Sequence, residues 1–284
     1  MKEISTKYGN FIPQHTDNEL RRKEILPITY HASGAVKSLP LEKQALVTTP
    51  VGDIPAELIT FHSNGGINRI FPLNGKLSGY WSQDDEAALA EPVTIETPIG
   101  SITARIISLS FYENEALRSV TLWPGDTVSV STPVGFLEVR IGISFTPDGK
   151  VSSVEPAKPA HVETPAGVIT AFDPDAVGVN GDENSLVFDK NGEVTRVTTT
   201  LTRLKAIHPD GAVSVFTPAT RESLCSEAEE EIVPMTVFIN GPEVAIRTKA
   251  NQPPTRVPRE KHVFFTEPYL PQLANSLEMM RCSV

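Results

Sequence analysis

Residues 132–151 read Thr132-Pro133-Val134-Gly135-Phe136-Leu137-Glu138-Val139-Arg140-Ile141-Gly142-Ile143-Ser144-Phe145-Thr146-Pro147-Asp148-Gly149-Lys150-Val151. Two turn signals bracket one strand signal. In Thr132-Pro133-Val134-Gly135 the proline presets φ at about −65°, and the glycine follows where a left-handed residue is often needed. Asp148-Gly149 readily takes φ > 0, as two-residue hairpin turns of the right twist require. Between them Leu137, Val139, Ile141, Ile143 and Phe145 share one face, and Glu138, Arg140, Gly142 and Ser144 the other. That period of two is the mark of a half-buried strand. Leu137, Val139, Ile141 and Phe145 are expected inside, with Glu138, Arg140 and Ser144 in solvent. A slip by one residue would exchange the two faces.

Both signals recur. The aromatic-turn-branched pattern of Phe145–Val151 appears at Tyr30–Val36, Phe61–Ile67 and Phe188–Val194, with a copy lacking glycine at Phe111–Leu117. Thr-Pro-x-Gly appears at Thr49–Gly52, Thr97–Gly100, Thr132–Gly135 and Thr164–Gly167, with an incomplete echo at Thr217-Pro218. A fixed period of 20–50 residues is the signature of a repeat architecture. Five units of about 32 residues cover 28–218, interrupted by insertions at Ser82–Glu91 and Asp173–Ser185. In Ser101–Phe111, Ile102, Ala104 and Ile106 share a face from which Leu109 and Phe111 fall out of phase, so a β-bulge is expected at Ile106-Ile107.

The predicted fold is all-β: a repeat meander of stacked β-hairpins, a curled single sheet or a solenoid, with a short C-terminal helical cap. The one-sided apolar strands must curl, coil or stack on a second layer. Residues 1–27 read as a polar arm or irregular lid and 28–218 as the repeat domain. In 219–284 an acidic helix is expected over Thr220–Ile232 and a hairpin over Met235–Arg247. An extended linker follows at Gln252–Pro258. A last helix opens at Pro271 and carries Leu273, Leu277 and Met280. Helix is expected nowhere else except in the N-terminal arm.

The stretch Phe61-His62-Ser63-Asn64-Gly65-Gly66-Ile67-Asn68-Arg69-Ile70-Phe71-Pro72-Leu73-Asn74-Gly75-Lys76-Leu77-Ser78-Gly79-Tyr80-Trp81 resembles the variant MORN repeat of bacterial antitoxin-like proteins. It shares the aromatic, the first Asn-Gly, and the second Asn-Gly-Lys-Leu-x-Gly followed by an aromatic. The other units replace that second half with Thr-Pro-x-Gly, so the likeness covers residues 61–81. It implies a stacked-hairpin sheet used for protein or membrane-surface contacts, and it brings no catalytic residues.

Composition narrows the function. Lys and Arg number 25 against 35 Asp and Glu, a net charge of −10. Nucleic-acid binding needs a concentrated basic face, so no nucleic-acid partner is expected. No apolar run approaches the roughly 20 residues of a membrane helix. Met1–Arg22 has no apolar signal-peptide core. Cys225 and Cys282 are too few for a disulfide framework and read as free thiols in a reducing cytoplasm.

No phosphate loop, dinucleotide fingerprint, nucleophile elbow or zinc-protease motif occurs. His31 and His62 occupy equivalent positions in adjacent repeats, but Tyr112, Thr146 and Asp189 follow them, so no third metal ligand is supplied. Asp173, Asp175, Asn180, Asp182, Glu183 and Asn184 make the 173–185 insertion oxygen-rich, which suits Ca²⁺, yet they lack the EF-hand order. Trp81 and Trp123 lie near turns, where packing competes with a binding role. The Glu227–Glu231 run reads as a solvated face. No catalytic, cofactor or metal residues are therefore assigned, and no cofactor is expected.

The recurrent residues are turn and core formers. The chain thus reads as a non-enzymatic interaction or scaffold protein, presenting its β-repeat surface to a protein partner. Two alternatives stand beside it. One is an enzyme, ligand-binding or metal-binding protein with its site in the insertions at 82–91 and 173–185. The other is a self-assembling structural protein, whose open sheet edges allow homo-oligomers. If the insertions only decorate a scaffold, either should shorten to a two-residue turn with the fold intact, because loop length costs little.

Overall fold

The computed structural model describes residues 3–177, 184–222, 230–249 and 252–270. Strands take 58% and helices 3%. The chain divides into two compact units. One comprises Met1–Thr132, Glu138–Val154 and Val177–Glu183, the other Pro133–Leu137, Glu155–Ala176 and Asn184–Val284.

In the first unit β1 (Ile4–Thr6) and β2 (Gly9–Phe11) form a small hairpin, so the N-terminal arm is partly ordered as strand. Then β3 (Thr29–Tyr30), β4 (Val36–Thr49), β5 (Gly52–Phe61) and β6 (Ile67–Phe71) pair in sequence order. A short helix α1 (Gln83–Ala87) precedes β7 (Pro92–Thr97), β8 (Gly100–Phe111) and β9 (Leu117–Leu122). β10 (Val128–Thr132) pairs with β11 (Gly135–Phe145), and β12 (Val151–Pro156) follows. The sheet order is β12-β11-β9-β8-β6-β5-β4-β3, with β7 paired on β8.

The aromatic-centred turns share one geometry. In Phe61–Ile67, Gly65 N–H donates to His62 C=O (3.0 Å) and His62 N–H donates to Gly66 C=O (2.8 Å). Gly65 has φ +81°, and the β5–β6 register shifts at Thr60/Phe61. This is a three-residue loop, a type I turn followed by a left-handed residue in a bulge, rather than the expected two-residue turn. The copies at 31–35, 112–116, 146–150 and 189–193 repeat both bonds. Where glycine is missing, Glu115 itself adopts φ +68°. A sixth copy at His208–Ala212 makes the same two bonds, with Ile207 in place of the aromatic.

The Thr-Pro-x-Gly turns are held by threonine. Thr49 Oγ1 donates to Gly52 C=O (2.7 Å) and accepts from Val51 N–H (3.2 Å). Thr97 and Thr164 repeat this pair, and so does Thr6 in Thr6-Lys7-Tyr8-Gly9, which lacks the proline.

The expected bulge in β8 lies where it was placed: the β8–β9 register shifts between Ile106 and Ser108. Its effect is large. Ser144 pairs with Ser119 and Ser119 with Ser110, so the 146–150 turn lies level with the 112–116 turn. A straight β8 would hold Pro98 about 40 Å from that level at roughly 3.3 Å per residue. Instead a Cβ placed on Gly149 would stand 3.0 Å from Pro98 Cβ. β8 therefore doubles back, and the β7–β8 tip folds over the sheet as a second layer. Ile95, Ile102 and Ala104 of the tip and Ile70, Leu109, Val120 and Ile143 of the sheet are all buried. Stacking, rather than a flat exposed meander, hides the apolar face.

In β11, Val139 and Phe145 are buried and Glu138 is exposed as expected. Leu137 and Ile141 are only half-buried, and Ser144 is buried at 6% exposure. The strict alternation fails at Ile141, whose φ of +62° is an outlier for a branched residue and kinks the strand. Ser144 belongs to the buried row Ser110–Ser119–Ser144, because the central strands are covered on both faces.

The second unit contains β13 (Ala160–Thr164), β14 (Gly167–Ala171), β15 (Leu186–Phe188), β16 (Val194–Thr199), β17 (Thr202–Ile207) and β18 (Val213–Phe216). β19 (Ala219–Glu222), β20 (Glu230–Val233), β21 (Met235–Asn240), β22 (Glu243–Arg247), β23 (Thr255–Pro258) and β24 (Val263–Pro268) complete it. β15, β16, β21, β22 and β23 form an antiparallel run. β13–β14 is a separate hairpin, and β18-β17-β24 a three-stranded sheet.

Three expectations are corrected. The two ends of the acidic helix expected over Thr220–Ile232 are strand instead: Ala219–Glu222 pairs with Glu230–Val233, tertiary pairing outweighing local helix preference, and residues 223–229 lie outside the described residues. The linker Gln252–Pro258 ends in β23, which pairs with β22. The 82–91 insertion is not plain loop, since Ser82 caps α1 through a capping box with Asp85. The capping helix from Pro271 lies outside the described residues, and helix among them is limited to α1 and a 3-10 turn at Arg259–Lys261. The expected Met235–Arg247 hairpin is present.

Candidate interaction surface

The sheet β18-β17-β24 has one buried and one open face. Along β17, Leu204 and Ala206 point inward at 0% and 1% exposure, so Arg203, Lys205 and Ile207 point out. The registers then set two outward rows: Val213–Ile207–Val263 and Val215–Lys205–Phe265. Val213, Val215, Val263 and Phe265 are each more than half exposed. Four large apolar side chains are thus gathered on one face. Among the described residues β18 and β24 are both edge strands.

The charges in this face are matched locally. Lys205 Nζ meets Glu267 Oε1 at 2.5 Å, and Arg203 lies 3.8 Å from the other oxygen. The Lys205 hydrogen bond holds the Glu267 carboxyl below its ordinary range. The central strand thus carries self-compensated charge, flanked by the apolar side chains of the two outer strands. β24 runs on to an apolar cleft of about 320 Å³ lined by Val168, Thr266, Pro268, Tyr269 and Leu270.

The sequence candidates fall elsewhere. His31 and His62 border one groove with Lys37 and Arg69. Each ring is spent on the backbone, however. His31 Nε2 donates to Phe61 C=O (2.9 Å), His62 Nε2 to Phe111 C=O (3.0 Å), and Tyr112 Oη to Phe145 C=O (2.8 Å). These side chains staple each turn to the next.

In the 173–185 insertion Asp173 and Asp175 line a cleft with Arg221, Arg247 and Lys249, cations that compete with a bound metal. Asn184 is buried, and Asn180, Asp182 and Glu183 lie outside the described residues. Among the described residues no three His, Cys, Asp or Glu side chains come together to hold a metal. Trp123 is buried, and Trp81 donates from Nε1 to Glu86 Oε2 (2.6 Å). Of the acidic run, Glu231 pairs with Arg221 at 2.8 Å. Cys225, Cys282 and Glu227 lie outside the described residues.

A buried cluster with no sequence motif joins Arg21, Glu57 and Glu86. Arg21 donates to both Glu57 oxygens (2.9 and 2.7 Å) and both Glu86 oxygens (2.7 and 2.8 Å). Asn74 N–H and Trp81 Nε1 supply further donors to the two carboxylates, and Gly75 N–H reaches Glu86 Oε1 (2.8 Å). Burial pushes the Glu86 carboxyl up, but the bonds from Arg21, Trp81 and Gly75 outweigh it and hold it low. Every carboxylate oxygen is taken, so the cluster is a clamp between the N-terminal arm, β5 and α1. Only the topology brings residues 21, 57 and 86 together.

No helix among the described residues is long and apolar enough to cross a membrane. No protein family, curated protein or solved structure matches this chain.

Proposed function

We propose that this chain is a non-enzymatic interaction protein of the cytoplasm whose β18-β17-β24 sheet docks an extended segment of another protein. The observation that carries this reading is the pair of cross-strand rows Val213–Ile207–Val263 and Val215–Lys205–Phe265, open to solvent between two edge strands. An edge strand offers unpaired backbone groups that an incoming strand satisfies, while alternate side chains meet the exposed face. The occupant is a strand-forming segment with apolar side chains at alternate positions, carried by a partner of neutral or basic charge. A second copy would bring another ten negative charges against the −10 of the first, and like-charged bodies repel.

Affinity capture from native extract tests this with the parent chain, Val215→Asp/Phe265→Asp, and Leu46→Asp, an exposed control outside the patch. Loss of a captured protein in the patch variant alone is expected. Capture unaffected by the patch change, or lost equally in the control, would refute the site. A dimer in light scattering that the patch variant abolishes would replace the foreign partner with a second copy.

A further inference from the structure

The β17–β24 register continues one step past the ladder. Ile207 faces Val263, so His208 faces His262 across the two strands, and their ring centroids are 5.1 Å apart. Directly opposed antiparallel residues hold their Cβ atoms close enough for side chains to share a ligand.

Both rings are oriented through Nδ1. His208 Nδ1 lies 2.8 Å from Asp210 Oδ1, a contact to a carboxylate that requires the proton on Nδ1. The Asp210 N–H at 3.4 Å is too long to compete for that nitrogen. His262 Nδ1 donates to Pro258 C=O at 3.0 Å. Neither Nε2 has a hydrogen-bond partner among the described residues. Metal-ligating histidines characteristically give their second nitrogen to a carboxylate or a backbone carbonyl in this way, leaving the first as a neutral lone pair.

The spacing also fits. An imidazole centroid is roughly 1.1 Å from its Nε2, so with Zn–N of about 2.0–2.1 Å a tetrahedral angle separates two ligating rings by about 5.2 Å. We infer that His208 and His262 form a bidentate site for a divalent transition metal of the zinc, nickel and copper class, its remaining positions left to solvent. Imidazole suits these ions, whereas Ca²⁺ and Mg²⁺ prefer oxygen. Bound there, the ion ties β24 to β17.

Calorimetric Zn²⁺ titration of the full chain carrying Cys225→Ser/Cys282→Ser tests this without competing thiols. His208→Asn and His262→Asn keep an amide donor near the position of Nδ1 and remove Nε2. The parent should bind one equivalent of Zn²⁺, and either variant should abolish binding while keeping the metal-free thermal midpoint. Asp210→Asn should weaken binding about 10–100-fold, and His161→Asn should leave it unchanged. At about 100 times the dissociation constant the parent's midpoint should rise by roughly 5–10 °C, and the variants' should not. Absence of saturable binding, or binding retained after loss of either Nε2, would overturn the site.

Discussion

Pro98 occupies the space in which a side chain on Gly149 would stand: the two Cβ atoms would be 3.0 Å apart. Gly149 belongs to an Asp-Gly turn and Pro98 to a Thr-Pro-x-Gly turn, so the two repeated signals are the two sides of one contact. Gly192 and Pro133 repeat it at 3.2 Å in the second unit. At these two places a Thr-Pro-x-Gly tip ends against the glycine of an aromatic-centred turn further along the chain.

Matched glycines separate backbone from contact. Gly34 and Gly149 have nearly equal φ, +83° and +84°, but a Cβ on Gly34 meets nothing within 4 Å. Gly34→Ala should cost about 1–2 kcal/mol for the left-handed backbone. Gly149→Ala should cost that plus roughly 1–3 kcal/mol of overpacking. Gly135 and Gly167 form a second pair, φ +107° and +104°, in which only Gly167 meets Thr266, at 2.9 Å. Urea unfolding should rank Gly149 above Gly34 and Gly167 above Gly135. Equal losses within either pair would remove the contact from the account.

Arg21 neutralises two buried carboxylates, so Arg21→Met should destabilise the protein by about 3–5 kcal/mol. The pH dependence has a definite sign. In the parent the Glu86 carboxyl is held low, so its contribution is fully present above its unfolded pKa and is lost as pH falls through the lowered folded value. Without Arg21 the Glu86 carboxyl stays buried with no opposite charge beside it, which raises its pKa relative to the parent. The variant should therefore gain stability as pH falls from 7 to 5, where the parent stays level. Parallel denaturation curves over that range would contradict the clamp.

Glu42 anchors the N-terminal arm at a second place. The Thr16 hydroxyl bond, followed by backbone bonds from His15 and Thr16, holds its carboxyl down to about 2 despite some desolvation. These bonds tie the N-terminal arm to β4. Their stabilisation is complete above pH 4.5 and disappears as pH falls toward 2. Glu42→Gln should lower stability at pH 6 and narrow the gap to the parent progressively below pH 4. A constant gap from pH 6 to pH 3 would show that Glu42 does not titrate with folding.

The turns were legible because Asn-Gly, Asp-Gly and Thr-Pro-x-Gly act within four residues, and the Ile106 bulge because a phase slip shows in the pattern itself. Copies that meet the same geometry by other means carry no such signature. Thr6-Lys7-Tyr8-Gly9 lacks proline but keeps both threonine bonds, and Ile207 takes an aromatic's place before His208–Ala212. From the sequence, the folding-back of β8 is only one of several ways to cover the apolar face, because bulge strength is not written in residue type. The interaction face and the His208–His262 pair depend on a register between segments more than 50 residues apart. Alternation in β17 reports a half-buried strand, but not which neighbours complete its open rows.

The 82–91 insertion gives the sharpest reversal. Read as a loop, it should be removable, since loop length costs only a fraction of a kcal/mol per doubling. The structure instead places Glu86 inside it at 4% exposure, accepting from Arg21, Gly75 and Trp81. Replacing 82–91 with a two-residue turn leaves the Gly75 N–H and the Trp81 Nε1–H without acceptors and Arg21 with one carboxylate. Each buried donor left unpaired costs about 1–3 kcal/mol, so the shortened chain should lose several kcal/mol or fail to fold. Two milder variants keep the test readable. Ser82→Ala removes only the helix cap and should cost about 1 kcal/mol, whereas Glu86→Gln keeps the shape, loses the charge and should cost more than Ser82→Ala. If urea midpoints of the shortened chain and Glu86→Gln both matched the parent, the insertion would be a dispensable loop after all, and the alternative of a site carried on it would lose its rigid base.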